Sequence, residues 1–362
     1  VNAANAEGQI LRLSGVISNS SGSLHISKVG TSYLTLTGNN TYTGGVHLVQ
    51  GKLNIHNANA LGTTAGTFKI EANTVIDNYS NGAITTANYP IIVNGDFTYG
   101  ATGNNPATSN LNLGTGAVTL NTDVHITTVV ANLTIGGICN NPTRSITKLG
   151  TTTLSFGSQA VTIDTVTISA GTLVSTSGNL SVAGDFINNA TFTNNGGTVT
   201  LNGTGLQIVG GSVATTFSKL TVNNSYTTSP QVILANNETV SGTLTLTSGN
   251  VDARTNSKTL IVSSNATGAV SRTGGYVIGN LQRAITNTGS PTYAYPLGTA
   301  TGYTPASIVF NTLSAAGNVT GSATEGDQPN ICSSKINAGI TVNDYWTFSK
   351  LYYITSGYTC KQ

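Results

Sequence analysis

Three tripeptides near the start of the chain each place an apolar pair around one polar residue. They are Leu24-His25-Ile26, Val46-His47-Leu48 and Phe68-Lys69-Ile70, and their first residues stand at positions 24, 46 and 68, a constant step of 22. This period-2 pattern predicts strands with one buried face. A strand that recurs about every 20–25 residues, with Gly, Asn and Thr between, is typical of a solenoid of stacked coils. The spacing therefore predicts a repeat fold in which each coil packs on the next.

Composition favours folded β structure and excludes two classes of partner. Charged residues make up 7% of the 362 positions, against roughly 25% in ordinary soluble domains. The apolar residues fall in short β-branched runs, which favour strands over disorder. The net charge is +2 and the basic residues are scattered singly, so we expect no nucleic-acid partner. No stretch approaches the ~20 apolar residues of a membrane span, so we expect no membrane insertion.

The pattern along the chain predicts three segments. Residues 1–7 read as an N-terminal extension, and residues 8–273 as a β-solenoid with coils of roughly 20–24 residues. From residue 274 the chain is richer in Tyr and Pro, and 274–362 is predicted to be a C-terminal β domain or cap. A cap is physically reasonable because the last coil of a solenoid presents an unpaired strand edge.

A longer repeat is superimposed on the short one. The segment from Lys28 to Leu36 (KVGTSYLTL) resembles the segment from Lys148 to Phe156 (KLGTTTLSF), 120 positions later. Gly51-Lys52-Leu53 matches Gly171-Thr172-Leu173 at the same offset. Two separated matches at one offset predict the duplication of a unit of several coils.

Two stretches also carry a family resemblance. Residues 34–53 (LTLTGNNTYTGGVHLVQGKL), within about 28–76 and followed by Asn59-Ala60-Leu61-Gly62, resemble the passenger-associated repeat of bacterial autotransporter-type surface proteins. The region of about 275–348, which contains Gly275–Arg283 and Asn343–Phe348, resembles part of the large secreted surface proteins of the Bacteroidetes group. The first resemblance implies a right-handed parallel β-helix. Together they imply an extracellular or cell-surface location, and neither implies a particular chemistry.

The residues that carry chemistry are sparse. The acidic residues are mostly isolated, with Glu325 and Asp327 as the closest pair in a predicted loop, and solvated carboxylates are far more common than catalytic pairs. His25, His47 and Lys69 are predicted to form one outward polar column, but Lys69 would repel a cation and no third ligand is evident. We therefore predict no catalytic residue, no metal site and no cofactor.

Two features of the C-terminal region remain open at this level. Tyr295, Tyr303 and Trp346 are candidates for a surface on which sugar rings stack, and the alternative is that these aromatic rings fill a core. Cys332 and Cys360 are close enough in sequence to form a disulfide, and the alternative is that both are free.

These observations predict an all-β chain: a right-handed parallel β-helix, or β-solenoid, followed by a C-terminal β-sandwich-like domain. The favoured function is an extracellular structural or adhesive surface protein, a rod, stalk or filament subunit without catalysis. Its expected partners are further copies of itself in a fibre, or the cell surface. One alternative is a carbohydrate-binding or polysaccharide-degrading β-helix protein with a glycan ligand. Another is ice binding through Thr-x-Thr strands such as Thr245-Leu246-Thr247.

Overall fold

The computed structural model describes residues 10–100, 108–286, 289–311, 315–331, 343–351 and 358–361. Within these ranges the chain is nearly all β, with a parallel β-solenoid of about 13 turns and a C-terminal sheet region. The described residues contain no α-helix, only one 3-10 turn at Thr267–Ala269. None of their helical segments is therefore long and apolar enough to cross a membrane. The all-β solenoid predicted from the tripeptide spacing is confirmed.

The strands are short, as the clusters of Gly, Asn and Thr between apolar runs require. Those up to residue 197 are β1 (Ile10–Leu13), β2 (Ile26–Lys28), β3 (Tyr33–Leu36), β4 (Gly45–Leu48), β5 (Lys52–Ile55), β6 (Thr67–Ile70), β7 (Thr74–Asp77), β8 (Ile84–Thr85), β9 (Ile91–Val93), β10 (Phe97–Tyr99), β11 (Leu111–Asn112), β12 (Val118–Leu120), β13 (Val124–Thr128), β14 (Leu133–Thr134), β15 (Cys139–Asn141), β16 (Ile146–Leu149), β17 (Thr153–Ser155), β18 (Val161–Ile163), β19 (Val166–Ile168), β20 (Thr172–Val174), β21 (Asn179–Val182), β22 (Phe186–Asn188) and β23 (Thr191–Thr193).

The remaining strands include the two longest, β39 and β40. They are β24 (Thr198–Leu201), β25 (Gln207–Gly210), β26 (Thr216–Phe217), β27 (Lys219–Asn223), β28 (Val232–Leu234), β29 (Glu238–Val240), β30 (Leu244–Ser248), β31 (Val251–Asp252), β32 (Thr259–Val262), β33 (Val270–Arg272), β34 (Val277–Ile278), β35 (Asn280–Ile285), β36 (Thr292–Tyr295), β37 (Leu297–Gly298), β38 (Ala306–Phe310), β39 (Gly317–Glu325), β40 (Asp344–Leu351) and β41 (Tyr358–Lys361).

The chain forms two compact units, and the first comprises Val1–Ala183 with Ile187–Gly197. Its strands form three parallel sheets, ordered β2-β4-β6-β9-β12-β15-β18-β21 (sheet I), β1-β3-β5-β7-β10-β13-β16-β19 (sheet II) and β8-β11-β14-β17-β20-β23 (sheet III). From β6 onward the chain visits sheets I, II and III in turn. Leu154 and Leu173 are paired residues of sheet III with no exposed surface. Side chains of successive coils thus form continuous apolar columns, which is the main source of stability in a solenoid.

The strand register corrects one prediction made from the tripeptides. Val46 pairs with Phe68, as the 22-residue step requires. Val46 also pairs with Ile26 and not with Leu24, which is 44% exposed and precedes the strand. The coil between these two strands is therefore shorter than the next one, because the turns absorb differences in length. His25 consequently leaves the predicted polar column, and Ser27 stands beside His47 and Lys69 instead.

The 120-residue repeat corresponds to a repeated pattern of strand pairing. Ile26 pairs with Val46 in sheet I, and Ile146 pairs with Val166 in sheet II. The following strands behave alike, because β3 pairs with β5 in sheet II and β17 pairs with β20 in sheet III. The two segments therefore share a local structure, and the second lies one sheet further around the coil than the first.

A buried lysine marks each copy of this repeat. Lys28 has no exposed surface, and its Nζ donates hydrogen bonds to the carbonyl oxygens of Val29 (2.9 Å), Gly30 (2.6 Å) and Gln50 (3.0 Å). The first two carbonyls belong to the turn that follows β2, and the third belongs to the next coil. The ammonium therefore links two coils where a corner leaves carbonyl groups without strand partners.

Lys148 repeats this arrangement with the carbonyl oxygens of Leu149 (2.6 Å), Gly150 (3.0 Å) and Ala170 (3.2 Å). A Cβ on Gly171 would lie 2.9 Å from Lys148 Nζ, and Gly171 has a φ of +67°, so this corner requires glycine. Burial lowers the pKa of Lys28 and of Lys148 from 10.5 to about 8.

The second unit comprises Gly184–Phe186 and Thr198–Gln362. Three parallel runs of strands continue the coil pattern within it, ordered β24-β27-β30-β33, β25-β28-β31-β34-β37 and β26-β29-β32-β35. Parallel pairing extends to Leu297–Gly298. Antiparallel pairing begins where β35 meets β39, and it continues in β39-β40 and β36-β38-β41. The boundary at residue 273 stays a prediction.

Candidate functional site

A concave site of the second unit is built around Arg272, the last residue of β33. Its Nε donates to the carbonyl oxygen of Gly275 (2.7 Å) and its Nη2 donates to that of Gly274 (2.7 Å). The guanidinium carbon lies 3.5 Å from the centre of the Tyr303 ring, within the range of a cation–π interaction. The Arg272 guanidinium is thereby held in one orientation from two sides.

A tight turn between β37 and β38 positions Tyr303. Thr299 N–H donates to the carbonyl oxygen of Gly302 (2.8 Å), and Thr304 N–H donates to that of Leu297 (3.0 Å). Tyr303 forms an antiparallel bridge with Gly298, and its side chain is 40% exposed. This hairpin places a partly exposed aromatic ring directly over the arginine.

Tyr276 and Gly298 complete the aromatic cluster. The Tyr276 and Tyr303 ring centres are 5.8 Å apart, and the rings are inclined by 35°. A Cβ on Gly298 would lie 2.3 Å from an atom of the Tyr276 ring, so the ring packs where only glycine leaves space. Burial raises the pKa of Tyr276, and its phenol is therefore neutral at physiological pH.

Arg272 and Tyr303 border a cleft of about 220 Å³. We call it the Tyr303 cleft, and its lining consists of Val270, Arg272, Ala294, Tyr295, Pro296, Tyr303, Pro305 and Ala306. The walls are mainly apolar, with one cationic group, which is the usual character of a small-molecule site.

The three predicted sugar-stacking residues have different positions in this site. Tyr295 lines the cleft but is fully buried, donating its hydroxyl to the carbonyl oxygen of Val319 (3.0 Å) and packing edge-to-face on Phe348 with ring centres 5.2 Å apart. A ring buried in this way offers no face to a sugar. Trp346 is half-buried and its Nε1 donates to the carbonyl oxygen of Thr304 (2.9 Å). Sugar stacking therefore remains a prediction for Tyr303 and Trp346.

A second arginine lies beneath the wall of the cleft. Arg283 is fully buried, and its guanidinium donates to the carbonyl oxygens of Ala294 (2.9 Å), Ala266 (3.0 Å) and Thr267 (2.9 Å). Burial lowers the pKa of Arg283, yet guanidinium keeps its charge in proteins. Among the described residues, no carboxylate forms an ion pair with Arg272 or Arg283. The cleft therefore carries positive charge that the fold itself does not neutralise.

Sequence reasoning placed tyrosines in this region and did not identify Arg272. The available signal was weak, a single arginine two residues before Gly274-Gly275-Tyr276. A Gly-Gly step after an arginine permits a turn whose carbonyls point back at the side chain, but many arginines occupy similar positions without forming a site.

In the first unit the histidines pair with carboxylates. His47 Nε2 lies 2.6 Å from Glu71 Oε1, which also accepts a hydrogen bond from Asn94 Nδ2 (2.6 Å), and Asn94 accepts one from Asn121 (2.7 Å). Burial alone would raise the pKa of Glu71, but the hydrogen bonds from His47 and Asn94 outweigh it and lower that pKa. His125 Nδ1 lies 2.7 Å from Asp96 Oδ2. These contacts link successive coils along the outer surface.

Aspartate side chains cap the backbone of the following coil. Asp96 Oδ1 accepts the N–H of His125 (2.7 Å), and Asp123 Oδ1 accepts the N–H of Ser145 (3.0 Å). In the second unit Asp185 Oδ1 accepts the N–H of Ile208 (2.7 Å). The isolated acidic residues of the sequence thus serve as links between coils.

No group of three or more His, Cys, Asp or Glu side chains that would hold a metal ion occurs among the described residues. Cys139 is buried with a free thiol. Cys332 and the side chain of Cys360 lie outside the described residues, so the predicted disulfide stays a prediction.

No protein-family model, no curated protein and no solved structure matches this chain.

Proposed function

We propose that the protein is an extracellular structural or adhesive surface element, a rod, stalk or filament subunit without catalytic activity. The observation that supports this most directly is the use made of the polar side chains in the coil stack. Asp96, Asp123 and Lys148 each bond to the backbone of a neighbouring coil or turn. Polar groups used in this way stabilise the stack itself, as expected for a protein whose role is mechanical.

The outer face of sheet III supports an adhesive role. One column along it consists of Thr153, Thr172 and Thr191, which pair in register. A second column runs through Thr134, Ser155, Val174 and Thr193, so that one apolar residue stands among three hydroxyl groups. Successive strands lie ~4.8 Å apart, so the hydroxyl groups form a regular and uncharged array. Such an array suits contact with another repetitive polar surface.

The proposal also includes the group of proteins to which the chain belongs and its location. The passenger-associated repeat pattern at about 28–76 and the Bacteroidetes-type pattern at about 275–348 support a place among secreted surface proteins. We propose a location outside the cell or on its surface, with attachment to that surface or self-association into fibres. We propose neither nucleic-acid binding nor membrane insertion.

Negative-stain electron microscopy of the purified chain, at low and high protein concentration, tests this function. We expect elongated particles at low concentration and end-to-end fibres at high concentration. Compact, dispersed particles at every concentration would contradict both the rod and the filament. A binding assay on whole cells tests surface attachment. The control is a charge-neutral globular protein of similar mass.

Carbohydrate binding is the second candidate function, and the Tyr303 cleft favours it. The cleft joins a partly exposed tyrosine to apolar walls and a cationic group, and sugar sites commonly combine an aromatic ring with a few polar groups. Incubation of the chain with a panel of polysaccharides, monitored for binding and for release of reducing ends, separates a binding protein from a degrading enzyme. No binding to any member of the panel would exclude both.

A further inference from the structure

We propose that the Tyr303 cleft binds a carboxylated sugar, a hexuronate unit of an acidic polysaccharide, with Arg272 as the receptor for the carboxylate. This inference rests on the second candidate function, carbohydrate binding, and specifies the class of sugar. It follows from the hydrogen-bonding capacity of one guanidinium, its unneutralised charge and the character of the surrounding walls.

Arg272 retains the donors that a carboxylate needs. A guanidinium carries five N–H bonds, and the fold uses one on Nε and one on Nη2 for the carbonyls of Gly275 and Gly274. The other three N–H bonds, including both on Nη1, have no acceptor among the described residues. Paired N–H groups match the two oxygens of a carboxylate, which is why arginine is the preferred partner for that group.

The charge of Arg272 is not balanced by the fold. Glu325 is the carboxylate bonded to the turn that carries Tyr303, and it accepts hydrogen bonds from the N–H (3.2 Å) and hydroxyl (3.3 Å) of Thr301. It forms no ion pair with Arg272 in the described part of the chain. Arg283 adds a second unpaired cation behind Ala294, one of the cleft-lining residues. An anionic ligand is therefore favoured over a neutral one.

The walls of the cleft suit the body of a sugar ring. Pro296, Pro305, Ala294 and the 40% exposed ring of Tyr303 present C–H and aromatic surface. The volume of about 220 Å³ is below the roughly 300–1,000 Å³ of pockets for drug-sized ligands. The cleft therefore accommodates one sugar residue or a chain end and leaves the rest of a polysaccharide outside.

The orientation of Arg272 also prepares the site for a polar ligand. The Arg272 guanidinium is already fixed by two carbonyls and by the Tyr303 ring. Little side-chain entropy remains to be lost on binding, and this preorganisation increases affinity.

Isothermal titration of the whole chain tests the proposal. The probes are oligogalacturonate and oligoglucuronate, with neutral oligomers of galactose and glucose of equal length as matched ligands. We expect the acidic oligomers to bind at least about tenfold more tightly than the neutral ones, since a charge-assisted pair contributes at least one factor of ten. Their affinity falls as salt is added.

Four variants sharpen the test. Arg272→Gln is expected to remove the preference for acidic oligomers, and Arg272→Lys to lose most of it, because lysine keeps the charge but not the paired donors. Tyr303→Ala removes the ring that lines the cleft and holds Arg272, and it is expected to weaken binding of acidic and neutral oligomers alike. Arg254→Gln removes an equal charge from a residue that does not line the cleft, and it serves as the matched control. Circular dichroism checks that each variant is folded.

The outcomes separate this inference from the function on which it rests. Equal binding of neutral and acidic oligomers, unaffected by Arg272→Gln, would leave carbohydrate binding intact and overturn the acidic specificity. Binding to neither class would overturn both. Equal or tighter binding of an oligoglutamate peptide would also overturn the inference, because the ligand would then be a carboxylate without a sugar ring.

Discussion

Replacing Lys148 by methionine removes an ammonium group and keeps an unbranched side chain of similar length in the same buried space. The three carbonyl oxygens that accept from Lys148, those of Leu149, Gly150 and Ala170, then lose their donor. The first two follow Lys148 directly in the chain, and the third belongs to the next coil. The substitution therefore cuts a link between two coils without opening a large cavity.

Two opposing contributions set the size of the effect. Three partly buried carbonyl groups that lose their donor cost roughly 1–3 kcal/mol each, so about 6 kcal/mol at the middle of that range. Removal of a buried charge acts in the other direction. Lowering of the Lys148 pKa from 10.5 to about 8 corresponds to roughly 3 kcal/mol of unfavourable free energy. We expect Lys148→Met to destabilise its part of the stack by about 3 kcal/mol.

Hydrogen exchange is the appropriate measurement, because a long repeat array does not unfold as one cooperative unit. We expect faster amide exchange in β16, β19 and β20, close to Lys148. Lys28→Met removes an equivalent set of contacts and is expected to have an effect of similar size in β2 to β5. Lys69 is exposed on β6, and Lys69→Met, the control, is expected to change stability by less than about 0.5 kcal/mol.

The dependence on pH checks the same reasoning. The folded-state pKa of both lysines lies below the unfolded value, so the unfolded chain holds more protons between pH 8 and 10.5 and stability rises with pH across that window. Measuring this stability from pH 7.5 to 9.0 keeps most tyrosine side chains, whose ordinary pKa is about 10, in the neutral form. This rise in stability with pH is expected in the parent and not in the variant that combines Lys28→Met with Lys148→Met. Exchange rates in the Lys148→Met protein equal to those of the parent would refute the role given to the ammonium group.

Three further predictions concern other buried or constrained positions. Glu238 is fully buried, and burial raises its pKa from 4.5 to about 7. Parent stability should therefore fall as pH rises from 4.5 to 7, and hydrogen exchange in β29 should show Glu238→Gln to be more stable by about 3 kcal/mol at pH 8 but not at pH 4. Gly298→Ala places a Cβ 2.3 Å from the Tyr276 ring, and we expect a loss of about 1–3 kcal/mol and an altered near-ultraviolet circular dichroism spectrum. Asp123→Ala should lose about 1 kcal/mol in chemical denaturation, and Asp123→Asn should retain the cap on Ser145.

The repeat pattern predicted the fold because burial in a parallel coil depends on local alternation. Val46-His47-Leu48 and Phe68-Lys69-Ile70 pair as the 22-residue step requires. The same step misplaced Leu24, since the turn before β4 is shorter and a period measured on later coils does not transfer to it. The 120-residue repeat was recognisable, but the sheet in which each copy lies depends on the summed lengths of all the coils between them. No local pattern contains that sum.

The candidate site was predictable in part. The density of tyrosines after residue 274 indicated an aromatic region, and Tyr295 and Tyr303 do line one cleft. Their exposure was not predictable, because Tyr295 is covered by β39 and β40, strands that follow it in the chain and pair at long range. Arg272 was missed for the same reason, since its ring partner Tyr303 is 31 positions later and separated by several strands.

Comparison of the two arginines explains why Arg272 in particular indicates a ligand. Arg283 resembles Lys28, because both are fully buried cations whose bonds go to backbone carbonyls. Binding these carbonyl groups is a structural role that accounts for both cations. Arg272 also bonds to two carbonyls, but it stands at the border of an open cleft. Among the described residues, three of its N–H bonds have no acceptor and its charge has no carboxylate partner. In a chain where Asp96 and Asp123 are engaged in the coil stack, a cation held rigid beside apolar walls without a counter-charge is best explained by an anion that arrives from outside.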